Sequence, residues 1–73
     1  MGKASNTNKA VVNVKYLRVR GGPSKRAAIY GLLEEGASVE VMRVVDGWAQ
    51  IDIRVGGAGM RLQSTPDEAF AYL

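Results

Sequence analysis

The acid–base chemistry open to this chain rests on seven carboxylates and its lysines, because its 73 residues include neither His nor Cys. Without His there is no general base that titrates near neutrality, no Ser-His-Asp arrangement, and the commonest metal ligand is missing. Without Cys there is no thiolate nucleophile, no disulfide staple and no thiolate zinc site. The carboxylates do not group into a working set. Glu34 and Glu35 are adjacent on a Gly-bounded turn and read as a solvated face. Asp52 alternates with Ile51 and Ile53, so it is expected in solvent. No two acids form a pair spaced for glycoside hydrolysis or for a cation. Gly31 and Gly36 have the spacing of a phosphate-binding loop, but Ala37-Ser38 follows where the mechanism needs Lys. The run Gly56-Gly57-Ala58-Gly59 lacks a surrounding βαβ unit and is a plain loop. No catalytic residue, metal or cofactor is expected, and the chain does not read as an enzyme.

The remaining chemistry is that of binding, through bases and aromatics. Residues 1 to 31 hold seven basic residues, Lys25 among them, and no acid, whereas residues 32 to 73 hold three basic and seven acidic ones. The halves thus carry +7 and −4 within a net +3. Such asymmetry suits a polyanion, a nucleic acid among others. It suits better basic and acidic strands lying side by side in one sheet, where Arg beside Glu or Asp across a ladder is ordinary. Few aromatics interleave with the bases, which disfavours nucleic acid. Trp48 opens a strand in which Ala49, Ile51 and Ile53 point inward. It therefore stands on the other face beside Gln50, as a binding anchor or as a lid on one end of the core. Tyr16 and Tyr30 can add to an aromatic surface, and Tyr72 reads as a core plug or a late strand contact.

The elements that position these side chains read as strands. Chain length allows one domain with a thin core, and a composition that is 47% hydrophobic is that of a globule. Residues 1–9 are polar and aperiodic, a disordered tail ahead of one domain at 10–73. Val12, Val14 and Tyr16 alternate with polar residues, then Leu17 and Val19 do so in the opposite phase, which places a break between Tyr16 and Leu17. Gly21-Gly22-Pro23-Ser24 is a turn. A strand runs from Val39 to Val45, a hairpin turns at Asp46-Gly47, and its return strand carries the alternation to Val55. Met60 to Leu62 reads as a short strand, and Pro66 onward as a short helical turn with Thr65 as its N-cap. Short strands about ten residues apart, broken by Gly turns, give an all-β fold: a small closed or nearly closed barrel of five to six strands.

Leu17-Arg18-Val19-Arg20-Gly21-Gly22-Pro23-Ser24 resembles the opening motif of the bacterial Src-homology-3 (SH3-type) domains, which typically reads Leu-Asn-Val-Arg-Ser-Gly-Pro-Ser. Ile29 to Gly36 resembles the family's Val-Ile-Gly-x-Leu-x-x-Gly segment, Val39-Glu40-Val41 its next strand, and Gly47-Trp48-Ala49-Gln50-Ile51 its Gly-Trp-x-x-Val/Ile. The likeness spans about residues 10–55 and departs from the pattern at Arg18, at Ala49 and through the C-terminal third. It implies an SH3-like barrel and a non-catalytic module that targets peptidoglycan or a cell-wall peptide. The implied groove lies beside the hairpin and the Arg20–Ser24 turn, with Trp48 and Tyr30 giving flat contact. Arg18, Arg20, Ser24 and Gln50 would supply its polar contacts. On this reading Trp48→Ala weakens wall binding tenfold or more without unfolding the domain. The alternatives are an adaptor that binds a peptide of an intracellular partner or of its own parent chain and, after it, a polyanion binder. A monomer is expected, with no membrane insertion, since no apolar run nears the roughly 18 residues a spanning helix needs. The first residues lack a signal-peptide core, and Asn6 breaks a myristoylation motif. The compartment is cytoplasmic, or extracytoplasmic if the chain is one domain of a longer exported protein.

Overall fold

The computed structural model describes residues 8–55 and 58–73. They form seven strands: β1 (Asn8–Val11), β2 (Tyr16–Arg20), β3 (Ile29–Glu34), β4 (Ser38–Val45), β5 (Trp48–Ile51), β6 (Met60–Leu62) and β7 (Ala69–Tyr72). All pair antiparallel in one sheet, in the order β1-β4-β5-β7-β2-β3-β6. There is no α-helix among the described residues, only a 3-10 turn at Ile53–Val55.

One apolar cluster fills the concave side. Val19 of β2, Leu33 of β3, Val39 of β4, Ala49 and Ile51 of β5, and Ala69 and Ala71 of β7 are its buried members, with Val12 and Ala37 beside them in the connecting segments. Ala10 of β1 and Met60 and Leu62 of β6 pack against it from the two edges. A flat seven-stranded sheet is too wide for all its strands to reach one cluster, so the sheet curls around it. β1 and β6 remain its edges and do not pair with each other. The fold is therefore all-β but not a closed barrel, and it has seven strands where five to six are expected.

Two positions explain much of this shape. Asp46 and Gly47 both take positive φ, 51° and 80°, and close the β4–β5 hairpin with the two-residue turn that the pair predicts. Gly31 of β3 sits opposite Leu62 of β6. A Cβ there would lie 2.1 Å from the Arg61 carbonyl oxygen and 2.7 Å from Leu62 Cα, so only Gly lets the two backbones meet.

Four boundaries differ from expectation. Asn8 and Lys9, read as tail, belong to β1, where Lys9 faces Glu40; residues 1–7 lie outside the described residues. The break falls over residues 12–15 rather than between Tyr16 and Leu17. There the chain turns from β1 into β2, and Gly36 N–H donates to the Val12 carbonyl at 2.8 Å. The return strand ends at Ile51, because Asp52 accepts from the backbone and side chain of Arg54 and turns the chain into the 3-10 segment. Beyond it, Gly56 and Gly57 of the expected loop lie outside the described residues. Finally, the segment after Pro66 is strand β7, not a helical turn. It fills the gap between β5 and β2, where sheet pairing satisfies its backbone groups.

The Asp52–Arg54 pair also sets the charge state of its carboxylate. The side-chain hydrogen bond from Arg54, aided by its backbone N–H, holds Asp52 below the usual aspartate value. Whatever that pair adds to stability is present above the ordinary aspartate range and lost as pH falls through the lowered value. Both this pair and Arg61–Glu34 join residues of the acidic second half.

Candidate functional site

β2 alternates strictly. Leu17 and Val19 turn toward the core, so Tyr16, Arg18 and Arg20 stand on the opposite face, about 7 Å apart along the strand. The neighbouring strand β7 pairs with β2 through Phe70 and Arg20, and with β5 through Tyr72 and Trp48. On these strands Ala49, Ile51, Ala69 and Ala71 face the cluster, so Trp48, Phe70 and Tyr72 lie on the same side as the β2 bases. The rings of Trp48 and Tyr72 meet edge to face, with centroids 5.0 Å apart and planes at 64°.

The turn between β2 and β3 folds back onto this face. Arg20 Nη1 donates to the Ala27 carbonyl at 3.1 Å, and Gly21 N–H donates to that of Ala28 at 3.0 Å. Within the turn, Arg26 N–H donates to Ser24 Oγ at 3.1 Å. This geometry brings Lys25 Nζ to 5.4 Å from the centre of the Tyr72 ring, a cation–π approach.

The result is a cleft of about 310 Å³ lined by Tyr16, Leu17, Arg18, Arg20, Lys25, Trp48 and Tyr72. It holds three cations and three aromatic rings, with no carboxylate in its wall. Among the described residues, neither Arg18 nor Lys25 is in an ion pair or a side-chain hydrogen bond. A guanidinium and an ammonium held this way offer charge-assisted bonds to a carboxylate or phosphate, and the rings offer flat apolar contact.

Of the six residues picked out in the sequence, the structure gathers Arg18, Arg20 and Trp48 in this cleft. Trp48 is its floor rather than its rim: the residue is only 6% exposed, packed under Tyr72. Trp48 stands on the face away from the core, as its strand position implies, and β7 covers it there through Tyr72. The other three lie elsewhere. Ser24 is spent on its own turn. Tyr30 lies over Gly21, where a Cβ would come within 2.7 Å of its Cε2. Gln50 is buried; its amide oxygen accepts from Arg43 Nε and its nitrogen donates to Glu68 Oε2 at 3.4 Å.

Lys25 and Tyr72 were not among those six, and Tyr16 was noted only for its aromatic character. Reading Ala69-Phe70-Ala71-Tyr72 as a strand would have put both rings on one face. Starting β2 at Tyr16 would have set that ring beside Arg18. Lys25 gave no signal, since its place depends on how the turn folds. Among the described residues no three acidic side chains come together as a metal site, and no helix is long and apolar enough to cross a membrane.

No protein family, curated protein or solved structure matches this chain.

Proposed function

We propose that the chain is a non-catalytic binding module of the SH3-like kind, whose cleft captures a carboxylate-bearing peptide. Peptidoglycan and its cross-bridge peptides are the ligand class to which the motif resemblance points. The observation that carries the reading is the lining of the cleft: Arg18, Arg20 and Lys25 beside Tyr16, Trp48 and Tyr72, with no acid among them. A peptide carboxylate would sit among the cations, and its backbone would lie across the Tyr16 and Tyr72 rings, which are 56% and 49% exposed. A shallow site of this size fits affinities of about micromolar or weaker, about −8 kcal/mol or less in magnitude.

A second reading has one observation in its favour. Tyr16, Arg18 and Arg20 alternate on one strand face, the interleaving of rings and bases that single-stranded nucleic acid uses. Against it, 310 Å³ is small for the four or more nucleotides that such platforms hold.

The test is sedimentation with purified sacculi at low and high salt, with Arg18→Glu/Lys25→Glu and Tyr72→Ala as variants. Each variant is expected to lose tenfold or more in binding, while the parent keeps part of its binding in high salt. Binding abolished by salt yet unchanged in Tyr72→Ala would assign the face to a polyanion instead. No binding at all would turn the search to an acidic peptide of a protein partner and sink the wall reading.

A further inference from the structure

The cleft gathers more positive charge than one carboxylate can answer. Arg18, Arg20 and Lys25 line it together, and no acidic side chain does. Acids on the flanking elements have other partners. Glu34, opposite Tyr16 on β3, accepts from Arg61 Nε at 2.9 Å, and Glu68, just ahead of β7, accepts from Gln50. Like charges held in one cleft repel one another and focus an attractive field on anions. A single carboxylate leaves that repulsion largely in place. The cations also have fixed stations. Arg18 and Arg20 stand two positions apart on β2, about 7 Å along one face. Arg20 Nη1 is tied to the Ala27 carbonyl at 3.1 Å, which sets its guanidinium and leaves its other N–H groups to a ligand. The same bond anchors the turn that carries Lys25 over the Tyr72 ring.

We infer that the ligand presents two carboxylates on one residue, as a C-terminal Glu does. This rests on the reading of the cleft as a carboxylate site. One carboxylate meets Arg18 and the other meets Arg20, with Lys25 facing them from the turn. Each then makes a charge-assisted bond to a guanidinium, and together they relieve the repulsion among the three cations. The α- and γ-carboxylates of an extended Glu residue reach two bases spaced as Arg18 and Arg20 are. Gln keeps the shape of Glu and removes one charge, so the pair isolates the second carboxylate.

The experiment is a fluorescence titration, with Trp48 as the reporter, against acetyl-Gly-Gly-Gly-X peptides in which X is Gly, Gln or Glu. Acetyl-Glu-Gly-Gly-Gly, which has the same charge as the Glu peptide but widely separated carboxylates, completes the ligand set. The C-terminal Glu peptide is expected to bind about tenfold or more tightly than the Gln and Gly peptides, and clearly more tightly than acetyl-Glu-Gly-Gly-Gly. Arg18→Gln and Lys25→Gln should each shrink the advantage of Glu over Gln. Both residues are exposed and outside any ion pair among the described residues, so both variants should melt with the parent. Equal affinity for the Glu and Gln peptides, with loss of both in Arg18→Glu, would overturn the two-carboxylate inference and leave the cleft reading standing. Equal affinity for the two Glu-containing peptides would show attraction by net charge alone and would also overturn it. Failure of every peptide, together with failure of sacculi, would remove both readings.

Discussion

Gly31→Ala is expected to lower the melting temperature by at least about 12 °C, the largest effect of an added methyl group at any described glycine. The added Cβ would meet backbone, 2.1 Å from the Arg61 oxygen and 2.7 Å from Leu62 Cα, and backbone cannot rotate away as a side chain can. Relief requires β6 to separate from β3. That breaks the Gly31–Leu62, Leu32–Arg61 and Leu33–Met60 register and withdraws Met60 and Leu62 from the core. A cost of roughly 3–5 kcal/mol lies at the high end for one substitution. A chain of 73 residues has about 4–11 kcal/mol in all. Each kilocalorie per mole moves the midpoint of so small a domain by about 4–8 °C. Gly22→Ala is the control: its Cβ would find Ala27 Cβ at 3.5 Å, an ordinary contact, and its melt should match the parent within a few degrees. A Gly31→Ala melt equally close to the parent would mean that β6 does not lie where the structure has it.

Trp48→Ala is the second large effect, and it falls on stability before it falls on binding. The ring is nearly fully buried and edge-on to Tyr72. Its loss should cost about 3–5 kcal/mol, the usual range for deleting a buried Trp or Phe. That differs from the expectation, drawn with the motif resemblance, that the substitution spares the fold. With m near 1 kcal/mol/M, the urea midpoint should drop by roughly 3–5 M, followed by circular dichroism because the fluorophore is gone. Tyr16→Ala, at a residue more than half exposed, should cost less than about 1 kcal/mol. A Trp48→Ala midpoint within 1 M of the parent would show that the ring is not a floor but a rim. Weak binding by Trp48→Ala therefore says little about contact, and Tyr72→Ala is the better probe of the site.

Which parts of this could be read from the residues follows a physical division. Period-two alternation is local, so Leu17, Val19, Ala49, Ile51 and Ile53 were legible as an inward set; Val19, Ala49 and Ile51 are buried core, and Leu17 and Ile53 pack against it. The Asp46-Gly47 hairpin was legible because positive φ there is a property of those two residues. β7 was not, because Thr-Pro-Asp-Glu is a good helix start by local rules, and only the open ladder positions of β5 and β2 make Ala69–Tyr72 a strand. Fixing β7 also fixes the site. It brings Tyr72 over Trp48 and under Lys25, and it puts Phe70 beside Arg20. Tyr30 and Gln50 had the right types at the right spacing, but Tyr30 packs over Gly21, and Gln50 is taken up by Arg43 on its oxygen and Glu68 on its nitrogen. Burial and partner choice are tertiary, and alternation cannot report them.

The central claim is that Arg18, Lys25, Tyr16, Trp48 and Tyr72 act as one peptide-binding surface. The most direct measurement is residue-by-residue NMR shift mapping of the folded chain titrated with soluble peptidoglycan fragments. The account predicts saturable shifts at the Trp48 indole N–H and at the amides of Tyr16 to Lys25 and Ala71 to Leu73, with Asp52 to Val55 and the β1 edge unmoved. Shifts centred on Arg43, Arg54 or Arg61 with the Trp48 indole unmoved would contradict it.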